Sequence, residues 1–88
     1  MANQSTIIKL LAEAASLIPE AIRMNRQFGY YFEYMQHYEF GLALDSLLEL
    51  VDETGFLAPK EFWQYLYQAA ETMRLEQLSL FLQEKAHS

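Results

Sequence analysis

Apolar residues recur along this chain in steps of three and four, and the phase of that pattern resets several times, which predicts a series of short amphipathic helices. Ile7, Leu10, Leu11, Ala14, Leu17 and Ile18 form the first stripe, with Ser5 or Thr6 placed to cap it. Pro19 interrupts the pattern, but proline suits the first turn of a helix and Glu20 suits the positive end of its dipole, so a second helix is predicted from Pro19. Its stripe is largely aromatic: Ala21, Met24, Phe28, Tyr31, Phe32 and Met35, with Gly29 predicting a bend or a close contact. The phase changes around His37, Tyr38 and Glu39. Phe40, Ala43, Leu44, Leu47, Leu48 and Val51 then define a third helix, ended by Thr54-Gly55, where glycine relieves the left-handed strain of a helix terminus. Pro59, Lys60 and Glu61 open a fourth along Phe62, Trp63, Leu66, Tyr67, Ala70 and Met73. Leu75, Leu78, Phe81 and Leu82 predict a fifth helix or a bent extension of the fourth, with the polar residues 83–88 fraying.

No strand-like alternation competes, and the prediction is an all-α chain, a compact bundle of four to five helices in which short loops bring consecutive helices together antiparallel. At 88 residues the chain makes a single domain, 1–88, and its 52% hydrophobic content supplies a core. The absence of cysteine excludes a disulfide framework, a thiolate metal site and a cysteine nucleophile. No apolar run approaches the roughly 20 residues that span a bilayer, and the first residues lack the pattern of a secretory signal, so a cytoplasmic location with no membrane partner is expected.

Charge changes the picture more. The formal net charge is -6. The excess sits in the middle third, where Glu33, Glu39, Asp45, Glu49, Asp52, Glu53 and Glu61 face only Lys60. Such a surface cannot neutralise phosphates, so direct nucleic-acid binding is not expected, whereas a focused negative field attracts basic proteins. On the third helix Asp45, Glu49, Asp52 and Glu53 form an outward ridge, with Glu39 one turn back. On the second, Tyr30, Glu33, Tyr34 and His37 share a face, and tyrosines combine contact area with a polar tip.

Glu33 and His37 are four residues apart and can share a helical face, but two ligands do not make a metal site, and His87 is the only other histidine. No pattern orders the carboxylates into nucleophile, base and oxyanion hole. Neither a cofactor nor an enzymatic activity is expected.

Two stretches resemble known families. Leu44-Asp45-Ser46-Leu47 is similar to the Asp-Ser-Leu attachment motif of acyl and peptidyl carrier proteins, which implies a phosphopantetheine arm on Ser46. Helical periodicity through Gly41-Leu42-Ala43 nevertheless places Ser46 within a helix, with only eight residues between it and Gly55. The second resemblance covers more of the chain. The run from His37 through Tyr38-Glu39-Phe40-Gly41-Leu42-Ala43-Leu44-Asp45-Ser46 to Leu47, then Glu53, the turn from Leu57 to Glu61, and Ala70-Glu71-Thr72-Met73-Arg74-Leu75 resemble the MafI-like immunity proteins of bacterial polymorphic toxin systems, across roughly residues 33–75. That resemblance implies a cytoplasmic antidote, of the contact-dependent growth inhibition type, that blocks a cognate toxin domain stoichiometrically. Nuclease toxins carry basic clefts, which an acidic surface fits. Tyr30, Glu33, Tyr34, His37, Tyr38, Glu39, Asp45, Glu49, Asp52 and Glu53 are the expected partner-binding residues, with Tyr30 and Tyr38 as anchors. A third reading is a self-associating helical module, and a homodimer is compatible with either protein-binding reading.

Overall fold

The computed structural model describes residues 3–87, and these form five α-helices joined by short connections. They are α1 (Asn3–Ser16), α2 (Arg26–Gln36), α3 (Phe40–Thr54), α4 (Lys60–Thr72) and α5 (Glu76–His87). The all-α bundle is therefore as the periodicity predicts. The molecule is a slab of about 34 × 32 × 18 Å, and its thinnest dimension accommodates two layers of helices at ordinary spacing. Its core joins Leu11, Ile18, Leu44, Leu47, Leu50, Phe62, Leu66 and Leu82, all essentially inaccessible to solvent.

The segment after α1 departs most from prediction. Helix α1 begins at Asn3, so Ser5 and Thr6 lie inside it rather than capping it, and it ends at Ser16. Leu17 and Ile18 continue with tighter three-residue hydrogen bonds to Ala14 and Ala15. Pro19 starts no long helix: residues 22–24 make a single 3-10 turn, and α2 starts only after Asn25, whose side-chain oxygen accepts from the Gln27 amide at 2.8 Å. Ala21 and Met24, predicted to be core, are exposed, Met24 at 87%. Arg23 secures the turn by donating to the carbonyls of Ile18 (2.8 Å) and Ser16 (3.2 Å) while its guanidinium lies over the Phe28 ring. It thereby caps the end of α1.

Helix α2 is continuous through Gly29, where an added Cβ would meet nothing within 4 Å, so the expected close contact is not present. Phe28 and Tyr31 are buried as predicted, but Phe32 is more than half exposed. The Tyr31 hydroxyl donates to the Leu11 carbonyl at 3.4 Å, and burial pushes its pKa from 10.0 up to about 12. The neutral phenol is thus favoured in the folded state, so its contribution is complete below pH 10 and is lost as pH rises towards 12. Urea midpoints measured at pH 9 and pH 11.5 are expected to fall less for Tyr31→Phe than for the wild type. An equal alkaline fall in both would assign it to other groups.

Packing order differs from chain order. Helices α2 and α3 form one antiparallel hairpin, since the start of α2 is tied to the end of α3 through Glu53. Helices α4 and α5 form the other, with the Trp63 ring near Lys85 and the Tyr67 ring near His87. The predicted pairing of consecutive helices fails at α1, which packs chiefly on α4 and so bridges the two hairpins. Buried Ser79 donates to the Glu71 carboxylate and braces the α4–α5 hairpin. Residues 83–87, expected to fray, continue α5, and Ala86 is buried; Ser88, the last of the predicted tail, lies outside the described residues. Gly55 ends α3 with φ +69, as its sequence position indicates.

The two hairpin turns use larger residues in that conformation: Tyr38 (φ 57) and Arg74 (φ 60). Around Tyr38, the amides of Tyr38 and Glu39 donate to the carbonyls of Met35 and Tyr34, and around Arg74, those of Arg74 and Leu75 donate to Glu71 and Ala70. Each turn is a Schellman closure, a motif that usually takes glycine at the left-handed position.

Candidate protein-binding surface

The acidic residues of α3 are positioned by the same periodicity that buries its apolar face. Phe40, Ala43, Leu44, Leu47 and Leu50 point to the core, and this leaves Asp45, Glu49 and Asp52 exposed on the opposite arc at steps of four and three. None of these three has an ion-pair partner among the described residues.

Glu53, grouped with them in the sequence, has a different job. It sits on the shoulder of α3 that faces α2, where its carboxylate accepts from Gln27 Nε2 (3.0 Å), Arg26 Nη2 (3.3 Å) and Asn25 Nδ2 (3.4 Å). The Gln27 hydrogen bond is the largest influence, and with Arg26 and Asn25 it outweighs partial desolvation, so the Glu53 carboxyl is held below its ordinary range. Glu53 is a brace between helices. Its exposed negative charge is already engaged, unlike those of the ridge.

Asp45 and Asp52 lean the other way, towards α5. Asp45 lines an open depression of about 680 Å³ with Gly41, Leu42, Arg74, Leu75, Glu76, Gln77 and Leu78, and partial burial there pushes its carboxyl above the ordinary value. Asp52 lines a second depression, of about 270 Å³, beside Leu48, Trp63, Phe81 and Lys85. Glu49 and the 46% exposed Leu42 stand on the outer arc between these flanks. The ridge is therefore one side of a crevice, which its spacing alone does not reveal. The opposite side was recoverable in part, because Leu78, Phe81 and Lys85 follow steps of three and four.

The α2 residues form a separate group. Tyr30, Glu33 and His37 are exposed on one face, whereas Tyr34 is half-buried against the core and offers little area to a partner. Tyr38 is 65% exposed in its left-handed turn, with its ring edge-on to Phe40 at 6.0 Å. Glu39 sits at the start of α3 without a side-chain capping bond. The structure thus brings Asp45, Glu49 and Asp52 together, places Tyr30, Glu33 and His37 on another helix, and commits Glu53 elsewhere.

Ser46 is 5% exposed and lies inside α3 rather than at its start. An attachment serine must reach a transferase, and its hydroxyl must carry a mobile arm. This placement weighs against the carrier reading. Among the described residues no cluster of three or more His, Asp or Glu side chains is arranged to hold a metal ion, and no helix is long and apolar enough to cross a membrane. Comparisons with protein families, curated proteins and solved structures give no match to this chain.

Proposed function

We propose that this protein is an inhibitor of the immunity type, which binds a basic protein domain and blocks it stoichiometrically without catalysis. The observation that carries this reading is the row of Asp45, Glu49 and Asp52, three exposed carboxylates on one helical face with no ion-pair partner among the described residues. Opposite charge of that kind accelerates capture of a basic partner and fixes its orientation. Apolar groups beside the row, Leu42 and Phe81 at nearly half exposure, supply contacts that slow dissociation. The resemblance of residues 33–75 to MafI-like immunity proteins points the same way, and gives the partner a class: the toxin domain of a bacterial competitor system, with a nuclease as the type whose cleft is basic by necessity.

The test is capture of the tagged protein's partner from its own host, followed by expression of that partner alone and with this chain. A one-to-one complex with a basic domain is expected, with growth arrest by the domain alone and relief on co-expression. Capture of an acidic protein, or of a basic one whose toxicity is unchanged by co-expression, would overturn the reading.

A further inference from the structure

The crevice beside the acidic row has the dimensions and chemistry of a helix receptor. Helix α3 packs on α2 and α5 packs on α4, and two open depressions lie one after the other between α3 and α5. One wall is the row Gly41, Asp45, Leu48 and Asp52; the other is Arg74, Leu78, Phe81 and Lys85. Gly41, Asp45, Leu48 and Asp52 advance by four, three and four residues along one stripe of α3, and Leu78, Phe81 and Lys85 by three and four along one stripe of α5, with Arg74 in the turn just before it. Asp45 lines one of these depressions and Asp52 the other. Seven residues of helix separate them, or about 10 Å along the axis.

We propose that this crevice seats an amphipathic basic helix of the partner protein, with apolar side chains two turns apart filling the two depressions and Lys or Arg side chains laid against Asp45, Glu49 and Asp52. The inference rests on the inhibitor reading and names its mode of recognition.

A helix is the occupant because the walls are helices with their backbone bonds satisfied internally, and the described residues offer no sheet edge for a strand to join. The spacing of the depressions also matches the i, i+7 repeat of an apolar helical face. Basic character follows from charge. Asp45, Asp52 and Glu76 line the depressions against Arg74 and Lys85, and Glu49 adds a further negative charge on the α3 rim. Lys85 already lies over the rings of Trp63 and Phe81, so the cationic wall is partly engaged within the protein, while Asp45, Glu49 and Asp52 have no ion-pair partner among the described residues. Arg74 occupies a left-handed position that glycine would fill at lower cost, and it does so at the mouth of the larger depression.

The experiment titrates the nitrogen-15-labelled full chain with a two-heptad amphipathic peptide of leucine and lysine, and with its leucine-glutamate counterpart. Amide shifts are expected along α3 and α5, with the lysine peptide binding at least roughly tenfold more tightly than the glutamate peptide. The double variant Leu42→Ser, Phe81→Ser alters two side chains near half exposure, so its helicity should survive, while its affinity for the lysine peptide should fall roughly tenfold or more. Shifts centred on α1 or α2, equal binding of the two peptides, or wild-type affinity in the double variant would each overturn the proposal. A double variant that loses the peptide but holds the captured toxin partner at wild-type affinity would remove the helix mode and leave the inhibitor reading standing. A partner that is not neutralised at all would remove the inhibitor reading whatever the peptide does.

Discussion

Phe62→Ala is expected to cost about 4 kcal/mol, the largest loss of stability from any single truncation considered for this chain. Phe62 is wholly inaccessible and makes edge-on contacts with the rings of Phe56 at 5.8 Å and Trp63 at 5.3 Å. It stands in the first turn of α4, directly after the connection that carries the chain over from α3, so its ring helps hold the two hairpins in one core. Alanine there loses the transfer energy of a buried ring and leaves a cavity that helices anchored at both ends close only in part. A domain of this size has a total stability of about 4–13 kcal/mol, so the loss is a large share of it. Urea unfolding should show the midpoint falling by about 3 M at a slope of about 1.3 kcal/mol/M. Leu57→Ala provides the contrast. Leu57 is 94% exposed, five residues away in the same stretch, and its truncation should change stability by less than about 0.5 kcal/mol. A Phe62→Ala midpoint within experimental error of wild type would mean that the core is organised around other side chains.

Phe56, Leu57 and Phe62 also show where periodicity ceases to inform. A stripe identifies Phe62 because its neighbours at three- and four-residue steps lie on the same helix. In the connection 55–59 no such repeat operates, and nothing local tells the half-buried Phe56 from the protruding Leu57. The same limit explains the start of α2. Pro19-Glu20 is a sound helix opening by local chemistry, but the Asn25 side chain accepts from the Gln27 amide, and Asn25, Arg26 and Gln27 all reach Glu53, a residue 26 to 28 positions away. Long-range bonds outweighed the local signal. The left-handed turns at Tyr38 and Arg74 were illegible for the opposite reason, since propensity assigns that conformation to glycine. Within the site, the exposed arc of α3 followed from its buried arc. The separation of Glu53 from the ridge, and the pairing of that ridge with the Arg74-to-Lys85 row, depend on which helix lies on each side, and chain order misled because α1 inserts between the hairpins.

Reversing Asp45, Glu49 and Asp52 to lysine together is expected to weaken binding of the captured basic partner by roughly a hundredfold or more, about 3 kcal/mol, while leaving the fold intact. Each position changes by two charge units, so an attraction becomes a repulsion. At exposed sites a single favourable pair contributes up to about 1 kcal/mol, and reversal roughly doubles the difference. The fold should tolerate the change because all three side chains are exposed without ion-pair partners among the described residues, and lysine is a good helix former. Lysine at position 52, close to the end of α3, also opposes the negative end of the helix dipole. Most of the affinity loss should appear as slower association, and it should shrink as ionic strength rises, because the screening length falls to about 10 Å at 0.1 M salt. Net charge alone would produce part of this effect. Glu13→Lys, Glu20→Lys and Glu61→Lys change the net charge equally on exposed positions outside the ridge, and this second triple variant should lose less than about tenfold. Equal losses in the two triple variants would reduce the ridge to a contributor of bulk charge. Wild-type affinity in the first would place the interface on another face, where exposed Tyr30, Phe32 and His37 of α2 become the next residues to substitute.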